Sequence, residues 1–343
     1  MRTLGQFIAA VCALLFILST IAVLLLINIE AKAFSSATYK AAFEEQRLYE
    51  RMPVILATAL TSTMGDRIST VPFLRTMTVE DWQNTITVML PQEELKAIAN
   101  NALDATFGYL NGTTNSAAIS LLPVKAQLAG PSGMDVVLQI LSLQPACTAE
   151  QLTQMALGLL GGEIALCNPP PEAIGFMTPF IQSQLQTMTT IIPNEVTFIP
   201  GTLSGTPDDP RLRLNAIRSA IKWTPFLPLL LLIGITVFAV RNLADWLTWW
   251  GWPLAIAGAG SVLIGLVGSP LVGWILQLFI QNQATILIPP VFMSSLAETT
   301  SAVAREMLTP VLIQGAILGI VGLGMAVLGM FLPRRQPDPY IHY

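Results

Sequence analysis

The stretch FIAAVCALLFILSTIAVLLLI, from Phe7 to Ile27, runs for 21 residues without a charged side chain. At about 1.5 Å of rise per residue, a helix of that length covers roughly 30 Å, the thickness of bilayer hydrocarbon. The run predicts an N-terminal transmembrane helix over residues 1–28, preceded by Arg2. A cleaved secretory signal is the competing reading, because Ala31-Lys32-Ala33 has the A-x-A form of a cleavage site. The length of the run favours a retained anchor, since signal cores span about 7–15 residues. Both readings export the segment C-terminal to the run.

Three more apolar runs lie towards the C-terminus. The second span is expected over 223–241, with Pro225 and Pro228 tolerated in its first turn and Arg241 closing it. The third is expected over 253–280, and the fourth over 310–332, stopped by Pro333-Arg334-Arg335. Residues 242–252 contain Trp246, Trp249, Trp250 and Trp252 and are expected to form a short cytoplasmic Trp-rich turn at the headgroup level. Residues 281–309 are expected as an extracytoplasmic amphipathic loop, with Leu296, Val303, Met307 and Leu308 interspersed with Glu298, Arg305 and Glu306. Such a helix lies on the bilayer or forms a floor under a larger domain, and its few cations favour the floor. Arg2, Arg241, Arg334 and Arg335 all fall on one side, so the positive-inside rule places both termini, including the tail 333–343, in the cytoplasm. The expected location is therefore the plasma (inner) membrane, with the bilayer itself as the first partner.

Only 11% of the 343 residues are charged and 53% are apolar, against about 25% charged in soluble domains. Residues 30–222 hold 12 of the 17 Lys and Arg and 17 of the 21 Asp and Glu, for a net charge of −5. That balance excludes a nucleic-acid partner. The expected fold class is mainly α: four transmembrane helices plus a largely helical extracytoplasmic domain over 29–222, between the first and second.

Inside that domain, Thr78 and Asp81 have the form of a capping box ahead of Trp82, Ile86 and Met89. Pro91 opens a helix that Asn111-Gly112 ends. Further amphipathic stretches span 53–64, 133–143, 149–160 and 171–191, and only 119–122 and 196–199 have strand character. Residues 200–211 are expected as a flexible exit, and Asn111-Gly112-Thr113 reads as a turn rather than a glycosylated sequon.

Cys12 falls in the first span and reads as a small hydrophobe. Cys147 and Cys167 flank a helix that Thr148 and Gln151 cap, and a Gly161-Gly162 reversal with an extended return brings them towards each other. An oxidising compartment favours a disulfide between them. Two separate buried thiols and metal ligation are the alternatives, although no His lies near.

The third span carries Ala257, Ser261, Gly265, Ser269 and Gly273 at four-residue intervals, and the fourth carries Gly315 and Gly319. Small residues on one stripe let helices approach closely. They predict packing of these two spans on each other, with homo-oligomerisation as the alternative. Gln277 and Gln314 lie near span ends, and no Asp, Glu, Lys, Arg or His lies at mid-depth, which argues against proton relays and ion paths.

The lone histidine, His342, excludes a His-based triad or His-bearing metal site in the exported domain. The adjacent acids Glu44-Glu45, Glu80-Asp81, Glu93-Glu94 and Asp208-Asp209 read as solvated. No phosphate-binding glycine loop occurs. No catalytic, metal-binding or cofactor-binding residue is assigned.

The layout, together with Leu90-Pro91, Tyr109-Leu110-Asn111-Gly112, the Cys147/Cys167 pair, Arg241 to Trp246 and Trp250-Gly251-Trp252-Pro253, resembles a family of uncharacterised four-span bacterial integral membrane proteins with an exported helical domain. The resemblance implies a bacterial envelope location and carries over no functional residue. The expectation is a non-enzymatic envelope protein whose exported domain binds another envelope or membrane protein, or an apolar ligand. A permease-like subunit of an ABC-type mechanotransmission or export system is the alternative on topology alone, and a carboxylate-based envelope hydrolase is the third.

Overall fold

The computed structural model describes residues 2–64, 77–158, 167–203, 205–206, 209–282 and 290–332. It is 83% helical. Four helical segments are long and apolar enough to cross a membrane: Leu4–Ala33, Pro210–Ala239, Leu243–Ile275 and Ser295–Phe331. The chain divides into two compact units, one of residues 1–42, 207–279 and 300–343, the other of residues 43–206 and 280–299.

The first unit begins with α1 (Arg2–Ala33), an unbroken helix through the whole apolar run. It pairs with α11 (Phe226–Ala239) through Phe16, Leu232 and Ile235, with Cys12 and Ile17 packed beside them. Cys12 Sγ fills the space beside Gly234. α11 has 14 residues, about 21 Å of helix and short of a bilayer. The remaining length comes from α10 (Pro210–Trp223), separated from α11 only by Thr224 and Pro225.

Two sequence expectations change here. Residues 242–252 are not a turn: α12 runs from Leu243 to Asn282 as one helix through Pro253 and Pro270. The reversal is confined to Val240, Arg241 and Asn242, because the Asn242 side chain accepts from the Asp245 amide at 2.8 Å and caps the new helix at once. The tryptophans then stack along the helix, Trp246 on Trp250 at 5.0 Å, and Trp250 Nε1 donates to Thr236 Oγ1 of α11 at 3.0 Å. Likewise the amphipathic loop and the fourth span are not separate: α13 (Pro290–Phe331) continues through Pro310. A proline deletes one backbone bond of a helix but need not end it where neighbouring helices hold the chain.

α12 and α13 run antiparallel in backbone contact. A β-carbon on Gly258 would collide with the backbone of Gly319, and one on Gly322 with that of Ala255. A β-carbon on Gly265 would sit 2.7 Å from Leu312 Cβ, and one on Gly315 2.7 Å from Ser261 Cβ. The contacting glycines recur every seven residues, at 251, 258 and 265 on one helix and at 315, 322 and 329 on the other.

The second unit contains α3 (Leu48–Met64), α4 (Val79–Met89), α5 (Gln92–Leu110), α6 (Leu122–Ala129), α7 (Pro131–Ser142), α8 (Ala149–Gly158) and α9 (Pro171–Ile191). The last residues of α2 (Ser36–Glu45) and the first turns of α13 belong to it too. Both halves of the Thr78/Asp81 capping box form. Asn111 and Gly112 end α5, with Gly112 at φ +74°, which a β-carbon would disfavour. The strand-like segments pair with each other as β1 (Ala117–Ser120) and β2 (Glu195–Ile199), antiparallel. This closes the α6 to α9 segment into a loop whose ends meet.

The seam generates a two-sided prediction. Gly258→Leu should destabilise the full chain by about 1–3 kcal/mol through overpacking, whereas Gly324→Ala, with nothing within 4 Å of its new β-carbon, should be neutral or slightly stabilising. Denaturation followed by tryptophan fluorescence in detergent checks both, and equal effects would contradict the seam.

Candidate functional site

Cys147 and Cys167 are joined, with Cα atoms 4.9 Å apart. A short parallel bridge flanks the bond: the Cys147 amide donates to Asn168 O at 3.0 Å and the Asn168 amide to Pro145 O at 2.8 Å. Cys167 is buried on Leu141, with Val137 of α7 and Met177 of α9 around it. The bond therefore pins the start of α8 to the α7/α9 core. The Gly161-Gly162 reversal and its extended return lie outside the described residues.

Among the helix-packing residues, Ala257 and Ser261 are fully buried, and Gly265, Gly315 and Gly319 lie in the α12/α13 seam. Gly273 meets Ser301 at an ordinary 3.5 Å, while Gly268, pressed against Leu308, replaces Ser269 in the close contact. A strict four-residue step advances about 40° around a helix each time, so the stripe drifts away from the seam that a seven-residue step follows. These small residues are occupied by packing within the chain.

The adjacent acids are more engaged than the sequence suggested. Asp209, 3% exposed, caps α10 by accepting from the Arg211 amide and forms an ion pair with the Arg211 guanidinium at 2.8 Å. The solvated reading of Asp209 is thus corrected; an Asp two residues ahead of an Arg at a helix start was the available signal. Asp81 is held in its capping box, and Glu44 pairs with Lys96 at 2.6 Å. Among the described residues no group of three or more His, Cys, Asp or Glu forms a metal site.

Tyr49 is buried beside that pair, donating to Asn100 Oδ1 at 2.8 Å. Burial, and then Glu44, raises its hydroxyl above the ordinary 10.0, against the opposing pull of Lys96. The hydrogen bond to Glu44 raises the Lys96 ammonium above 10.5.

The feature best suited to binding is α9. In PEAIGFMTPFIQSQLQTMTTI the only charged residue of 21 is Glu172. Leu185 faces the core, but Phe176 is 82% and Ile191 79% exposed, with Phe180 and Met188 exposed between them. β2 comes directly after and adds exposed Val196 and Phe198. Lys125 reaches across from α6 to hold the end of α9, donating to Ile192 O at 3.0 Å and Asn194 Oδ1 at 2.7 Å. Periodicity marks 171–191 as amphipathic; the missed signal is that its outer face carries no charge.

An apolar groove of about 530 Å³ lies between α1 and α12, lined by Ala13, Leu14, Trp249, Trp252 and Ile256 among others. Its polar member, Thr248, already donates to Ala244 O at 2.8 Å. Such a groove accepts hydrocarbon but has little with which to orient a specific ligand.

Two measurements test this arrangement. Replacing Cys147 and Cys167 by serine should cost about 3 kcal/mol for a 20-residue separation, and should abolish any effect of reductant on urea denaturation. For Tyr49 and Lys96, protonated forms are favoured in the fold. Their contribution is complete below the ordinary values near 10 and is lost as pH rises through the raised ones. Melting between about pH 8 and 11 should show that alkaline loss, reduced in Tyr49→Phe. Compared with protein-family models, curated proteins and solved structures, the chain matches none.

Proposed function

We propose that the chain is a multi-pass protein of the bacterial inner membrane, with both termini cytoplasmic and residues 29–222 outside, and that this exported domain binds a partner protein without catalysing a reaction. The four apolar helices support membrane insertion. The Cys147–Cys167 bond supports the exterior location of its domain, because disulfides persist in oxidising compartments.

The observation that carries the binding reading is the uncharged, exposed α9 face from Phe176 to Ile191. Large apolar side chains exposed on one helix face, here spaced by the uncharged Ser183, Gln184 and Thr187, mark interaction sites. The face stretches along roughly 23 Å of helix, which fits a protein surface better than a small ligand. The absence of Lys and Arg from α9 disfavours adsorption to anionic lipid. The permease-like alternative needs a cytoplasmic coupling segment, and Val240, Arg241 and Asn242 are all that separate α11 from α12.

A photoreactive phenylalanine analogue at Phe176 or Ile191 of the full chain, irradiated in native membranes, should give one discrete adduct of the same added mass from both positions. The same probe at Leu143, also exposed, should not. No adduct at either α9 position, or an equal adduct at Leu143, would contradict the reading.

A further inference from the structure

A second site lies where α1 leaves its apolar stretch. Lys32, Glu306, Thr309, Pro310, Ile313 and Gln314 line an open cleft of about 230 Å³. After Arg2, Glu30 and Lys32 are the only charged residues of α1, so the pocket marks the polar end of that helix. Exposed Ile313 and half-buried Pro310 form an apolar wall, while a cation and an anion stand at its mouth.

The two charges form only a long, half-exposed ion pair. Lys32 Nζ and Glu306 Oε2 are 4.0 Å apart, with side chains 39% and 41% exposed. Nearby, Arg218 Nε and Glu30 Oε1 are only 2.6 Å apart, and the Arg218 guanidinium rests 4.7 Å from the centre of the Phe34 ring. A charge-assisted hydrogen bond wants about 2.7–2.9 Å, so Lys32 and Glu306 stand as two half-open poles. Gln314 is held from behind by Asn28, which is buried and whose Nδ2 donates at 2.8 Å both to Leu24 O and to Gln314 Oε1. Gln314 Nε2 returns one N–H to Asn28 Oδ1 at 3.5 Å; an amide has two.

We propose that this pocket holds the phosphoethanolamine headgroup of a phospholipid in the outer leaflet. Its phosphate pairs with Lys32, its ammonium with Glu306, and its glycerol end lies along Ile313. The chemistry selects this class. A carboxylate at the mouth repels the purely anionic phosphoglycerol group. A trimethylammonium offers Glu306 no N–H, whereas a primary ammonium donates up to three. The inference rests on the reading of α1 and α13 as spanning helices.

The test uses the full chain, first checked for resistance to carbonate extraction from membranes, then placed in nanodiscs of phosphatidylcholine containing phosphatidylethanolamine or phosphatidylglycerol. Native mass spectrometry reads which lipid stays bound. The wild type should retain phosphatidylethanolamine about tenfold or more over the other two, the scale of one charge-assisted hydrogen bond. Glu306→Gln should move the preference towards phosphatidylglycerol, and Lys32→Gln should lose retention of both, a reciprocal pattern that misfolding does not produce. Equal retention of all three lipids by the wild type, or unchanged preferences in both variants, would overturn the site. Displacement by equimolar soluble glycerophosphoethanolamine would overturn the membrane source. Release by carbonate would instead remove the spanning reading itself.

Discussion

Backbone-to-backbone approach of α12 and α13 is the constraint on which the first unit depends. Between apolar helices in hydrocarbon there is little hydrophobic gain from association, so attraction must come from dispersion contacts and close polar contacts, both of which grow as axes approach. Gly258 against Gly319 and Gly322 against Ala255 bring the chains to the limit that atoms allow. The heptad spacing of the glycines suits the shallow crossing of helices that stay in register over several turns. With these two helices fixed, α1 and α11 gain a surface to settle on, through Trp249, Trp250 and Leu254.

Two long-range polar links of that unit sit together at one end of α1. Asn28 with Gln314 and Glu30 with Arg218 join α1 to two different helices within a few residues. Placed at a span's end, such bonds are strengthened by a low local dielectric without the cost of fully dehydrating a charge. In the second unit the equivalent role falls to covalent and strand links, the Cys147–Cys167 bond and the β1/β2 pair, which tie together segments distant in sequence.

Helix type and position were legible wherever a local signal exists. The four apolar runs, the Thr78/Asp81 box, the Asn111-Gly112 stop and the limits of α9 are all short-range chemistry. Misreadings came where two short-range signals compete. Pro253 and Pro310 read as boundaries, yet α12 and α13 pass through them, and Asn242, a cap three residues before Asp245, was outweighed by four tryptophans. The seam was assigned to the right helices but with the wrong period, because Ala257 to Gly273 gives a more conspicuous row than Gly251, Gly258 and Gly265. The pairing of β1 with β2 and the exposure of the α9 face depend on contacts far apart in the chain, which no window of sequence contains.

The glycine seam also bears on how these helices come to be helical at all. In water each interior glycine would cost its helix about 1 kcal/mol relative to alanine, and α12 and α13 carry many of them. In hydrocarbon an unbonded peptide group is so unfavourable that the backbone coils whatever its side chains prefer. Intrinsic propensity is thereby released as a constraint, and residues chosen for the space they leave open can fill positions that a soluble helix would reserve for helix formers.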